Sequence, residues 1–386
     1  MKHSILCLAL ATLSLSTFAA TPKRLTITEL TNLLTSLKQA KKSDDQVAAQ
    51  LSAVELSEEL TSAAMHSLGS LIPGPLSTEQ IYVLEARSST LPAPAADLPV
   101  TPAPDPAAQQ ALLAKAQDYV AKTYAQLPPF TASRMTARFQ DGTQTIQSFT
   151  GAKVKSVNDQ DPIFDDASVI VHLKNTHTDS VRISHGLTQS TVKEKTAWGS
   201  NGFVTSTLPP MPLSQLLQEI TAGGAPTWLR WELIQGKPAA VFSFSVDKKS
   251  SHYALNYCCF PETSNIGNSL YGANARPLGG GNLSTVSNWK NFTTKSGYHG
   301  ELFLDPATGV VLRTIVQADF KPSDFVHSEQ IRVDYTAVPI AGQPLTVPIR
   351  TFTLSEIVPN ADSFAAKYAV RHDLVTEDFK DFATAK

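Results

Sequence analysis

The sequence is short of cysteine, of net charge and of long apolar runs, and each shortage removes a class of protein. Its 386 residues include only 3 cysteines. Cys7 lies in an N-terminal apolar run, so the remaining two, Cys258 and Cys259, are adjacent and cannot staple distant parts of the chain. The pair reads as two small buried side chains, with a strained vicinal disulfide as the alternative; consecutive strand residues face opposite ways, which opposes that bond unless the chain kinks. A net charge of −2 offers no basic stripe to a nucleic-acid backbone and no polybasic run to an anionic membrane. After the N-terminus no stretch approaches the roughly 18 apolar residues a membrane helix needs.

Signatures of common chemistry are missing as well. Neither G-x-S-x-G, H-E-x-x-H, a Walker A loop nor G-x-G-x-x-G occurs. Ser190-x-x-Lys193 has the nucleophile spacing of penicillin-binding proteins, and Lys295-Ser296-Gly297 resembles their K-T-G. No S-x-N lies between them, however, and Ser190 falls on a predicted strand. Ser245-x-x-Lys248 and Ser287-x-x-Lys290 repeat the spacing, so it carries little information. The histidines His172, His177, His185, His252, His299 and His327 show no metal-ligand spacing, and the acidic loop Asp159, Asp161, Asp165 and Asp166 lacks the glycine of a calcium loop. No cofactor, metal or catalytic residue is expected.

What is present points to export and to β structure. Lys2 and His3 precede an apolar run from Ile5 to Leu15, and Thr17-Phe18-Ala19 has the small residues a signal peptidase reads, so residues 1–20 are expected to be a cleaved secretory signal and the mature chain periplasmic or secreted. From Thr26 to Thr90 the period is helical. Thr26-x-x-Glu29, Ser52-x-x-Glu55 and Ser77-x-x-Gln80 read as helix starts, and Leu56, Leu60, Ala64 and Leu68 as one stripe. A small helical bundle is predicted over 21–90, then a Pro- and Ala-rich linker over 91–104. Asp105-Pro106 opens another helix, with Leu112, Leu113, Ala116 and Val120 on its apolar face.

Beyond Phe130 the period shifts toward two. Strands are predicted at 131–139, 145–149, 152–157, 168–173, 180–184, 188–193, 203–208, 227–234, 239–246 and 251–259, and further strands follow to the C-terminus. One helix, opened by Pro212, interrupts them. A long loop covers 260–288. The clearest hairpin is Tyr298–Arg313, where Asp305, Pro306 and Gly309 shape the reversal. The fold class is α+β: an N-terminal helical bundle, then a large curled antiparallel sheet, a half-open barrel over 105–386, with one or two packed helices. Trp198, Trp228, Trp231, Phe242, Phe244, Tyr253 and Tyr257 fall on consecutive predicted strands and either fill its core or line a concave apolar pocket.

The run Gly300-Glu301-Leu302-Phe303-Leu304-Asp305-Pro306-Ala307-Thr308-Gly309, with Val333-Asp334-Tyr335, Val347-Pro348, Ser251-His252-Tyr253 and Tyr257-Cys258-Cys259, resembles a family of exported bacterial proteins without an assigned function. Its helix-then-strands pattern with a G-x-x-x-x-D-x-x-T-G hairpin is similar to the LolA-like and RseB-like lipoprotein-carrier fold. The resemblance implies a non-enzymatic envelope protein binding a lipid, a lipoprotein or another apolar ligand in a concave sheet. It carries over no catalytic residue. Two alternatives stand beside it: a protein-interaction or envelope-sensing module that uses the N-terminal helices, and a hydrolase of the S-x-x-K type.

Overall fold

The computed structural model describes residues 24–125, 128–141, 171–184, 187–190, 203–208, 212–261, 289–321, 324, 326–357 and 371–385. The predicted signal, the acidic loop, the strands at 145–149 and 152–157, and positions Trp198 and Lys193 lie outside the described residues.

The N-terminal part comprises β1 (Arg24–Leu25), α1 (Ile27–Gln39), α2 (Asp44–Ser52), β2 (Glu55–Leu56), α3 (Ser62–Leu68) and α4 (Pro75–Ser88), with β1 and β2 paired in parallel. The expected box starts α1: the Thr26 N–H donates to Glu29 Oε2 at 2.9 Å, and the Glu29 N–H to Thr26 Oγ1 at 3.2 Å. The other two starts are corrected. Ser52 is the last residue of α2, and Ser77 lies inside α4, whose first position is Pro75. Instead, Asp44 of α2 accepts the Leu76 and Ser77 N–H groups, each at 2.9 Å, so a neighbouring helix satisfies donors that a cap would have satisfied. The predicted stripe is not one helix: Leu56 belongs to β2 and Leu60 precedes α3. All four of its residues nevertheless reach one core with Leu30, Leu34, Leu51 and Leu84.

The helix α5 (Pro106–Ala125) starts as its sequence demands, with the Ala108 N–H donated to Asp105 Oδ1 at 2.8 Å. A sixth helix, α6 (Leu213–Ala222), buries Leu213, Leu216, Leu217 and Ile220. No described helix is long and apolar enough to cross a membrane. The remaining strands are β3 (Phe130–Asp141), β4 (Val171–Ser184), β5 (Leu187–Ser190), β6 (Val204–Ser206), β7 (Thr227–Ile234), β8 (Lys237–Val246), β9 (Ala254–Pro261), β10 (Trp289–Lys295), β11 (Gly297–Leu304), β12 (Val311–Asp319), β13 (Val326–Ile340), β14 (Gln343–Ile357) and β15 (Arg371–Thr384). Two strands predicted at 168–173 and 180–184 are thus one. The polar stretch between them reads as a turn, yet it stays extended because Asn175 to Asp179 pair with Arg138 to Arg134.

Ten strands form an antiparallel sheet in the order β5-β4-β3-β15-β14-β13-β12-β11-β8-β7, with β5 and β7 as its edges among the described residues. The strands β10-β9-β6 make a second, smaller sheet. Strand alternation gives the large sheet two buried faces. Val181, Phe242, Leu302, Val316 and Val333 point toward α5, α6 and the small sheet. Phe139, Val171, Phe352 and Leu374 lie under Val83 and Ala86 of α4. The predicted linker is packed too: Ala93 is buried, and Pro102 O accepts from Trp231 Nε1 at 2.9 Å.

The β11–β12 hairpin carries its expected turn. Asp305 Oδ1 accepts from the Ala307 N–H at 2.8 Å and the Thr308 N–H at 3.0 Å, and Gly309 takes φ +75°. A Cβ at Gly309 would lie 2.7 Å from the Lys115 backbone of α5, so the same glycine closes the turn and seats it on the helix.

Candidate functional site

Of the seven aromatic residues expected either in the core or in a concave pocket, four lie in the core. Phe242, Phe244, Tyr253 and Tyr257 are buried in one cluster with α5 and α6, while Trp228 and Trp231 are only partly covered beside it. Trp228 meets Trp231 and Phe242 edge-on at centroid distances of 5.0 and 5.5 Å, and Tyr298 bridges Phe244 and Tyr253 at 6.2 Å from each. Trp198 lies outside the described residues. Cys258 and Cys259 occupy β9, with their side chains outside the described set.

The opposite face holds what periodicity did not reveal. Register places Arg230, Val241, Phe303, Arg313, Asp334, Arg350 and Asp378 in one cross-strand row from β7 to β15. Arg230 and Arg313 lie over the Phe303 ring at 5.8 and 5.5 Å, and Arg332 and Arg350 lie over Phe352 at 5.4 and 4.6 Å. Carboxylates fill the gaps between the guanidinium groups. Arg230 Nη2 reaches Glu232 at 2.6 Å and Glu301 at 2.8 Å. Asp334 accepts from Arg313 Nε at 2.6 Å and Arg332 Nη2 at 2.8 Å.

Two further carboxylates arrive from the N-terminal part. Glu59 accepts from Arg332 Nη1 at 2.6 Å and Arg313 Nη1 at 3.0 Å, and Glu85 of α4 accepts from Arg350 Nη1 at 2.8 Å. The helical unit is therefore fastened to the sheet by charge-assisted bonds as well as by apolar packing. Burial pushes Asp334 up, but Arg313 and Arg332 outweigh it and hold this carboxyl at about 2. At Glu85 burial wins over Arg350 and Arg332 and raises the carboxyl to about 7. A folded-state value above the unfolded one gives stability that is complete below about 4.5 and is lost as pH rises through 7. Glu85→Gln should accordingly flatten the decline in stability between pH 5 and pH 8; urea midpoints that decline as steeply in the variant as in the parent would refute this.

Above the row, a cleft of about 340 Å³ opens between the N-terminal part and the β7–β8 turn. Glu59, Asp97, Glu232 and Asp334 line it with Arg313, Arg332 and the Gln235-Gly236 turn. The Asp97 carboxyl is raised, first by burial and then by Glu59, and no cation pairs with it among the described residues. Carboxylates outnumber cations in this lining. Among the described residues no group of histidine, cysteine or acidic side chains is arranged to hold a metal ion.

The remaining candidates have structural partners. Ser190 lies on β5 and donates to Asp179 Oδ2 at 2.7 Å, and Asp179 also binds Arg134 Nη2 at 2.9 Å. Glu219 of α6 accepts from Tyr298 Oη at 2.8 Å and from the His252 N–H at 3.1 Å, and lies 2.9 Å from His252 Nδ1. Ser251-His252-Tyr253 is thereby tied to the helix: its buried Ser251 hydroxyl also accepts the Tyr253 N–H at 2.8 Å. His299, on the face of the ionic row, pairs with Asp319 at 2.6 Å.

Fold and cleft together define an α+β protein built on an open ten-stranded antiparallel sheet with an ion-paired helical cover. Compared with family models, with curated proteins and with solved structures, the chain matches none.

Proposed function

We propose that the chain is an exported, non-enzymatic binding protein of the LolA-like half-barrel kind whose ligand site is the cleft under its N-terminal helices, shaped for a small organic cation. The carrying observation is Asp97, a carboxylate without a cation among the described residues, inside a cleft where acids are in excess. The cleft volume is at the small end of ligand sites, about 300 Å³ and upward, and an ammonium or amidinium group entering it would neutralise Asp97 and lower its raised pKa. The concave-face alternative, an acyl chain or lipoprotein, draws support only from the partly covered Trp228 and Trp231, since Phe242, Phe244, Tyr253 and Tyr257 are committed to core contacts. The N-terminal signal pattern supports export.

Calorimetric titration of the full chain with butylammonium and with benzamidine tests the reading. Binding is expected for at least one of them, at least tenfold weaker in Asp97→Asn, with an unchanged unfolding midpoint. Uptake of a fluorescent fatty acid without any response to the cations would overturn it in favour of the concave face.

A further inference from the structure

On the other face of the sheet a second cavity, of about 170 Å³, lies between β6 and strands β3, β13, β14 and β15. It is lined by Arg138, Thr205, Ser206, Glu329, Thr353 and Glu377 among others. Glu329 is 1% exposed, and among the described residues no arginine, lysine or histidine pairs with it. Its Oε1 accepts a long bond from Ser355 Oγ at 3.4 Å, the Ser206 hydroxyl lies beside the carboxyl, and Oε2 has no hydrogen-bond partner among the described residues. A buried carboxyl without a cation stays protonated; burial raises this one to about 8, against the hydroxyls of Ser206 and Ser355. Oε2 is then an O–H donor without an acceptor among the described residues, and Oε1 has a second lone pair beside the one that Ser355 uses.

A buried donor left unsatisfied in a polar lining is costly and calls for a partner, which water or a ligand can supply. The lining's charges, Arg138 and Glu377, offset each other, so a neutral guest loses least on entry. We propose that this cavity is a site for a small primary amide, whose carbonyl accepts from the Glu329 hydroxyl while its N–H donates to the neighbouring oxygen. Two parallel hydrogen bonds along one carboxyl edge would fix the guest's orientation, and Val375 and Leu208 would cover its alkyl end. This site is independent of the cleft under the N-terminal helices.

Saturation-transfer NMR on the full chain, with propionamide, propionate and propylammonium as probes, tests it. Transfer to propionamide is expected, with at least tenfold weaker binding in Glu329→Leu, retention in Glu329→Gln, whose amide keeps a donor and an acceptor, and no change in Asp97→Asn. If Glu329→Leu does not fold, Val375→Phe fills the cavity without touching the carboxyl and is expected to abolish transfer. The proposal is overturned by absence of transfer to propionamide, which would leave water as the occupant. It is overturned equally by transfer that survives both Glu329→Leu and Val375→Phe, or by propylammonium bound in preference and lost in Glu329→Gln.

Discussion

Glu59→Ala is expected to lower stability by about 3–5 kcal/mol, the range for removing one partner from a buried charge network. Arg313 and Arg332 are 6% and 3% exposed, and each spends one terminal nitrogen on Glu59. Without that carboxylate, two buried guanidinium groups over phenylalanine rings would share Asp334, with Glu232 3.9 Å from Arg313 as the other nearby carboxylate. The loss should also have a place. Because Glu59 is one of the carboxylates that fasten the N-terminal helices, beside Glu79 and Glu85, limited proteolysis should cut residues 24–90 faster in the variant, before the β body is attacked. Glu59→Gln keeps shape and some bonding and should fall between variant and parent. A urea midpoint in Glu59→Ala within about 0.5 kcal/mol of the parent would mean that the network is solvated and does not hold the helices.

Gly300→Ala should have the next largest effect, about 2–3 kcal/mol, through overpacking. A Cβ at Gly300 would collide with the Ile315 carbonyl oxygen of β12 and lie 3.1 Å from Phe244 Cζ. The backbone of β12 is fixed by its ladder with β11 and β13, so it cannot retreat without losing register bonds. Phe244 is held edge-on against Tyr298 at 6.2 Å and has little room to tilt. Thermal and urea unfolding of the variant measure the cost. A parent-like midpoint would show that β12 can move away, and the tight approach of the two strands would then have no energetic weight.

The sequence made some of this legible and concealed the rest for definite reasons. Local chemistry was readable wherever one residue type is demanded by one geometry: Asp305 and Gly309 in the hairpin, Thr26 with Glu29, Asp105 with Pro106, and the four-residue apolar face of α6. The helix start failed at Ser77 because the donors of α4 are satisfied by Asp44, 33 residues before Ser77, and no short spacing reports a partner that distant. The ionic row was hidden by its alternation. Arg332 and Asp334 alternate along β13, with Arg313 and Arg350 beside Asp334 on the neighbouring strands, the pattern of a solvated outer face, and the arrival of Glu59 and Glu85, with Val83 and Ala86 of α4, makes that face an interior. A hint existed in composition: Phe303 and Phe352 share that outward face, where a solvated sheet would seldom put aromatic rings. The strand predicted at 203–208 is present as β6, but no periodicity reports that it lies over Glu329 on the large sheet.

The position of β15 between β3 and β14 also has a kinetic consequence. Its residues 373–384 pair with residues 130–140, so the two strands that join the halves of the large sheet are among the most distant in sequence. Closing a loop of that length costs entropy before any contact repays it, and chains dominated by such contacts fold slowly. A ribosome or translocase that releases the chain from its N-terminus delivers β3 early and β15 last, and until then both β3 and β14 present an unpaired edge. The central seam of the sheet is therefore the last to close, and the time before that closure is when the chain is most exposed to aggregation.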